Sequence, residues 1–334
     1  MRRRLAEVAR HVGVSEATVS RVLNERPGVS DATRQAVLTA LDVLGYERPT
    51  QLRGERARLV GLVLPELQNP IFPAFADIVG GALVQQRFTP VLCTRTAGGI
   101  TEAAYIDLLL EQQVSGVVFA GGLYAQESAP HAHYAKLAER SLPVVLVNAA
   151  VEWIGFPRVS CDDTAAGEQA MEHLISLGHT HIGMLLGPSD HLPSRRKLEG
   201  ARLAAARHGI EIPAEHVATA LFSLEGGQAA GTQLLAAGVT AMVCASDPLA
   251  LGAVRAGRRR GLRVPADVSV IGYDDSAFMA YTDPPMTTLR QPIDSMGRAA
   301  VDRLVSQLEG RGDGPAELLF VPELVVRGST ARVR

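Results

Sequence analysis

The chain has 334 residues, is 47% hydrophobic but only 4% aromatic, and carries a formal net charge of −2 with three cysteines. That length allows two or three domains around aliphatic cores. No apolar run is long enough to span a membrane, and the start MRRRLAEVARH lacks the apolar stretch of a signal peptide, so a membrane or exported protein is not expected. Cys93, Cys161 and Cys244 are far apart and lie mostly in apolar runs; they read as buried free thiols in a reducing cytoplasm. The small total charge conceals an asymmetry. Residues 1–58 hold eleven arginines against seven acids, +4, which leaves −6 for the remainder. A basic end on an acidic body suits a polyanion partner at that end.

In chain order, Leu5, Val8, Ala9 and Val12 fall at i, i+3, i+4 and i+7, one apolar stripe of a first helix. Gly13 ends the pattern, and Ser15 suits the N-cap of a second helix with Glu16 in its first turn. On that helix Val19, Val22 and Leu23 share one face, while Glu16, Ala17, Ser20, Arg21 and Asn24 share the other. A short polar face propped on a partner helix fits the DNA major groove. After a loop with Pro27-Gly28, Ser30 caps a third helix with Val37, Leu38, Leu41 and Leu44 on its apolar face, and Gly45 fits its end.

The run VARHVGVSEATVSRVLNERPGVSDATRQAVLTALDVLGY resembles the DNA-binding headpiece of the LacI/GalR family of bacterial transcription regulators. The likeness covers the helix–turn–helix, the PGVS connection and the LGY end. It implies an all-α helix–turn–helix headpiece over 1–48. It also implies that Glu16, Ala17 and Arg21 read bases, which their chemistry allows: Arg to guanine, Glu to cytosine N4, Ala to a thymine methyl. Ser15, Thr18, Ser20 and Asn24 suit phosphates. Glu16 has the alternative role of serving only the helix dipole. Arg2–Arg4 are expected to touch the DNA backbone.

Residues 49–58 form a shortened hinge. The resemblance makes Leu52 a candidate wedge for the minor groove, although a plain linker leucine is an equal reading, Gly54 is a poor helix residue, and the segment is a few residues shorter than the family's.

From residue 59 short apolar strands alternate with helices. The strands are Leu59–Leu64, Val91–Cys93, Gly116–Ala120 and Val144–Val147, then His181–Leu186, Thr219–Phe222, Ala241–Ala245 and Val268–Gly272. The helices are Phe75–Gln86, Glu102–Gln112, Asp163–Leu177, Leu198–His208, Gly226–Ala236 and Ala250–Arg260. Two such series predict two α/β lobes with parallel sheets and a ligand site between them. Segments such as VGLVLPELQNPIF, LGHTHIGMLLGP and PPMTTLRQPIDSMGRAAVDRL resemble the same family's effector domain, itself similar to periplasmic sugar-binding proteins. The resemblance implies a two-lobed, periplasmic-binding-protein-like effector-binding and dimerisation domain over 59–334. The chain would cross between its lobes near Cys161, Leu289 and Pro322.

That resemblance points to Asn69, Phe72, Asn148, Lys197, Phe222, Ser246, Asp274 and Gln291 as ligand-binding residues. Carboxylate and amides suit hydroxyls, the ring an apolar face, and the lysine an acceptor or anion. The effector is expected to be sugar-like, a polyol, a sugar acid or a phosphorylated compound. Asp274 is the residue whose position alone, directly after an apolar strand, favours a functional role; Asp247 and Asp275 read as helix cap and turn former. His179 and His181 within LGHTHIG read as structural, Arg258–Arg260 as complementing a helix C-terminus. No metal, cofactor or catalytic constellation is expected. The sequence thus predicts a cytoplasmic, homodimeric transcription regulator, a repressor of double-stranded operator DNA under ligand control. A transport-receptor-like binding module is the alternative.

Overall fold

The computed structural model describes residues 2–23, 28–44, 58–95, 98–311 and 316–333. The chain divides into two units, Met1–Arg58 and Leu59–Arg334. The first contains α1 (Arg2–Val12), α2 (Glu16–Leu23) and α3 (Asp31–Val43). Gly13 adopts a left-handed φ of 75°, and its N–H and that of Val14 both reach the Ala9 carbonyl at 3.0 Å, closing α1. Both expected caps form: Thr18 N–H donates to Ser15 Oγ (3.1 Å), and Thr33 N–H to Ser30 Oγ (3.3 Å). Val8, Ala9, Val19, Val22, Val37, Leu38, Ala40 and Leu41 form the core.

The second unit has two lobes. In the first, β1 (Leu59–Leu64), β2 (Thr89–Thr94), β3 (Gly116–Ala120), β4 (Val144–Val147), β5 (Arg158–Cys161) and β11 (Glu317–Phe320) form a sheet of order β11-β5-β4-β3-β1-β2, parallel throughout. The second sheet joins β6 (Ile182–Leu186), β7 (Val217–Thr219), β8 (Ala241–Cys244), β9 (Ser269–Asp274), β10 (Thr287–Arg290) and β12 (Glu323–Val325) in the order β12-β10-β9-β8-β6-β7. Only β12 runs antiparallel to its neighbour. The helices are α4 (Ile71–Gln85), α5 (Glu102–Glu111), α6 (Ala132–Glu139), α7 (Asp163–Ser176), α8 (Leu192–Arg207), α9 (Leu224–Ala236), α10 (Asp247–Arg259) and α11 (Ile293–Leu308). The chain crosses between lobes after β5, between β10 and α11, and between β11 and β12, as the resemblance implies. All three thiols are buried and free. No helix among the described residues is long and apolar enough to cross a membrane.

Four helices begin earlier than the sequence pattern suggests, α9 by two residues and the other three by more. Helices α4, α8 and α10 take in Pro73, Pro193 and Pro248 in their first turns, where the N–H that proline lacks has no intrahelical partner to lose. The strand expected at Thr219–Phe222 is instead Val217–Thr219, which leaves Phe222 in the loop before α9. Helices α6 and α11 and strands β5, β10, β11 and β12 lie outside the expected segments.

Helices α7 and α8 pack backbone against backbone. A Cβ on Gly200 would lie 1.9 Å from the Thr164 carbonyl oxygen, and one on Gly167 2.0 Å from the Lys197 carbonyl oxygen. Gly227 and Gly252 do the same for α9 and α10, each within 2.4 Å of an opposing carbonyl oxygen. Gly200→Ala is therefore expected to destabilise the second unit by about 1–3 kcal/mol through overpacking. Gly81→Ala, within α4 and with nothing in 4 Å of its would-be Cβ, should instead stabilise by up to about 1 kcal/mol. Calorimetric melts of the two variants check this; shifts of equal sign would contradict the packing argument.

Candidate functional site

On the first unit, Ser15, Glu16, Ala17 and Arg21 are exposed along one side of α2 and its approach, with Thr18 and Ser20 half-buried beside them. Val19 and Val22 face the opposite way, fully buried. Thr18 is drawn into the cap, its hydroxyl 2.9 Å from that of Ser15. Arg21 projects from the last turn of α2, where its charge also complements the helix dipole. Asn24 and Leu52 lie outside the described residues.

In the second unit, the carboxyl ends of both sheets face a cavity of about 480 Å³, within the roughly 300–1,000 Å³ of small-molecule sites. Asn69, Phe72, Asn148, Lys197, Phe222, Ser246, Asp274 and Gln291 all line it. The loop after β1 supplies Asn69, and Phe72 lies in the first turn of α4. Asn148 follows β4 with a φ of 76°, and Asp274 ends β9 with a φ of 113°. Non-glycine residues at positive φ are uncommon and gather at functional sites.

Asp274 is buried and meets both lobes: Asn69 Nδ2 donates to its Oδ2 (3.3 Å) and Gln291 Nε2 to its Oδ1 (2.7 Å). Burial, reinforced by the nearby charge of Asp247, pushes Asp274 well above the usual carboxylate range, against the pull of the two amide donors and Lys197. Asp247 is also raised, chiefly by burial. It accepts from Ser276 N–H and Oγ (both 2.8 Å) and from Thr288 Oγ1 (2.9 Å), tying α10 to the end of the second sheet. The helix cap is not Asp247, as the sequence suggests, but Ser246, whose Oγ accepts from Leu249 N–H at 3.4 Å. Burial pushes Asp275 up, but hydrogen bonds from Arg327 and Arg290 outweigh it and leave this turn residue below the usual range.

Lys197 does not face the cavity as a free cation. Its Nζ is ion-paired to Asp163 Oδ1 and lies 3.8 Å from the Tyr273 ring centroid. The Tyr273 hydroxyl donates to the same oxygen at 3.1 Å. Among the described residues Asp163 Oδ2 meets no donor, although it is buried. Phe222 sits over Gly187, where a Cβ would lie 2.1 Å from the ring. His191 meets Phe222 edge to face, with centroids 5.1 Å apart. Burial, then the Lys197 charge, holds His191 neutral, at about 3.

Asp163, Tyr273, His191, Glu66 and Arg95 also line the cavity and are absent from the sequence reading. Asp163 reads there only as the start of a helix, and His191 and Arg95 sit in loops without a pattern. Of the histidines flagged in the sequence, His179 bridges Thr240 (2.9 Å), Ser269 (3.1 Å) and the Ala331 carbonyl (3.0 Å), while the His181 ring meets Thr180 at 3.1 Å and lies near the His216 ring.

The family model described as "Bacterial regulatory proteins, lacI family" matches residues 4–49, and that described as "Periplasmic binding protein-like domain" matches 171–330. The HTH-type transcriptional regulator reg1 of Streptomyces lividans is 52% identical over 99% of this chain and 97% of its own length. Among solved structures, the transcriptional regulator CelR in complex with cellobiose is 34% identical, covers 97% of this chain and 99% of its own, and superposes with a TM-score of 0.74. The lac repressor dimer bound to operator and the anti-inducer ONPF is 30% identical over 97% and 98%, with a TM-score of 0.72.

The raised carboxyl makes stability depend on pH. A group whose folded pKa lies above its unfolded value, near 4 for aspartate, binds a proton on folding; the stability it contributes is present at low pH and lost as pH rises through the folded pKa. His173, His179 and His191, all held below the usual histidine range chiefly by burial, act with the opposite sign near pH 6.5. They are common to wild type and variant. The difference in Tm between Asp274→Asn and wild type should therefore move in the variant's favour as pH rises from about 5 to about 8, by the equivalent of about 1–3 kcal/mol. Thermal melts across that range check it; a pH-independent difference would exclude a raised Asp274.

Proposed function

The chain belongs to the LacI family of DNA-binding transcription regulators, and we propose that it is a repressor whose hold on operator DNA is set by a neutral, polyhydroxylated small molecule bound between the lobes of its second unit. The observation that carries the ligand class is the pairing of Lys197 with Asp163. A cation already neutralised and covered by the Tyr273 ring has little to offer a sugar acid or phosphate. What remains for a ligand is the Asp274 carboxyl, the amides of Asn69, Asn148 and Gln291, the Asp163 Oδ2 that meets no donor among the described residues, the Phe222 ring and, at one end, Arg95 with the Glu66 carboxyl, which burial raises against the Arg95 charge. Acceptors and amides suit hydroxyl groups, and a ring suits the apolar face of a sugar. The cellobiose bound to the similar regulator CelR supports a sugar over other polyols.

In this reading Glu16, Ala17 and Arg21 face bases, and Ser15, Thr18, Ser20 and Asn24 face phosphates, with Leu52 in the minor groove. The acting species is a homodimer whose two headpieces occupy half-sites of a pseudo-palindromic operator. Ligand binding changes the angle between the lobes of each second unit and is coupled to operator affinity by about 1–3 kcal/mol. The site works by binding rather than catalysis.

Selection from a random duplex pool at fixed salt, followed by mobility-shift titration of the enriched sequence with and without candidate ligands, tests the proposal. Neutral saccharides are expected to change operator affinity and their phosphate esters are not; the reverse would overturn the ligand class. Arg21→Ala should lose about 1–3 kcal/mol of discrimination between operator and unrelated duplex while saccharide binding is kept. Asp274→Ala should abolish the saccharide response and keep operator binding. Exchanged phenotypes would show that the two sites are wrongly assigned.

A further inference from the structure

A larger cavity, of about 1,200 Å³, lies on the first lobe and shares Pro65, Glu66 and Arg95 with the cleft. We propose that it is a second compartment of the ligand site, and that the ligand is a linear neutral oligosaccharide of more than two units. This rests on the sugar reading above and extends it.

The second compartment has a built polar floor. Glu102 is 2% exposed and is fixed from three sides: by His133 Nε2 at 3.0 Å, by the Tyr134 hydroxyl, and by Leu123 N–H at 3.4 Å. Its walls carry Leu67 and Ile100, which are 47% and 45% exposed. Large apolar side chains left open to solvent over a polar floor match a pyranose ring, which has an apolar face and a rim of hydroxyls.

Where the two cavities join stand two side chains of opposite charge, Arg95 and Glu66. Arg95 Nε is buried without a hydrogen-bond partner among the described residues, and Glu66 is held above the usual carboxylate range by burial, against the Arg95 charge. A donor and an acceptor of opposite charge at this junction suit a hydroxylated, uncharged chain threading past them better than an anion. Lys136, on the far wall, is already paired with Asp107 at 2.6 Å. The larger cavity alone exceeds the roughly 300–1,000 Å³ of a site for one compact ligand, whereas a chain of sugar units occupies both compartments end to end.

Calorimetric titration of the full chain with glucose and its linear α-1,4- and β-1,4-linked oligomers of two to five units tests this. In one linkage series affinity should tighten about tenfold or more from two units to four. Ala103→Trp, which fills the second compartment from α5, should abolish that gain and leave two-unit affinity unchanged. Ile100→Ala, at an exposed loop position, should shrink it without affecting the fold. Equal affinity across lengths, or a gain that survives Ala103→Trp in a protein with intact two-unit binding, would overturn the second compartment and leave the sugar reading standing. Failure of every oligomer to bind would overturn both.

Discussion

Asp274 is 5% exposed at the meeting of the two lobes, with Asn69 of one lobe on one oxygen and Gln291 of a crossover on the other. A charge left unpaired at such a place costs several kcal/mol, so the carboxyl has two ways to be tolerated. It can hold its proton, as its raised pKa indicates, or it can be met by further donors. A hydroxylated ligand is a supply of such donors. The strained backbone at Asp274 fits this account, because strain persists only where the surroundings hold a residue to one orientation. Asp247, stabilised by three donors of its own, supplies the second negative charge that makes a proton on Asp274 favourable.

The charge balance of the cleft is set at some distance from it, by glycine. Helices α7 and α8 approach closely only because Gly167 and Gly200 offer no Cβ at the crossing. That approach brings Lys197 of α8 onto Asp163 in the first turn of α7. A wider crossing would separate the pair and give the cleft a free cation, and with it an affinity for anions. Packing and ligand class are thus linked through one helix contact. Gly187 acts in the same way for Phe222, whose ring occupies the space a side chain would take.

Uniformly apolar strands such as LVGLVL and GVVFA were legible because burial on both faces removes every polar residue. Strands RVSC and TTLR were not, since Ser160, Thr287 and Thr288 are polar yet buried within them, and ELV is only three residues long and partly exposed. Thr288, fully buried, donates to Asp247, and an apolar-run criterion cannot see it. The eight cleft residues came from family resemblance; position in the pattern singled out Asp274 alone. The partner of Lys197 was hidden for a different reason. Asp163 lies 34 residues away and in sequence looks like any acid at a helix start. Its role exists only after α7 and α8 have packed.

The lobes are joined on the mouth side of the cleft by contacts of another kind. Gln126 and His191 form an isolated antiparallel bridge, Glu127 N–H donates to the Asp190 carbonyl (3.2 Å), Ser128 N–H and hydroxyl donate to the Asp190 carboxylate, and Glu127 pairs with Arg195 at 2.5 Å. The charged members are largely exposed, and exposed pairs contribute about 0–1 kcal/mol each. A set of such contacts holds an angle without locking it. Its total is comparable to the 1–3 kcal/mol by which effectors typically couple to a second site. A ligand that adds donors to Asp274 and Asp163 in the buried interior therefore acts on the same scale as the exposed latch, and a ligand can shift two states only by its difference in affinity for them. In the proposed reading that difference comes from spanning the lobes: Asp163 and Asp274 both belong to the second lobe, and a ligand that donates to them while held by Asn69 or Asn148 of the first engages both at the same time.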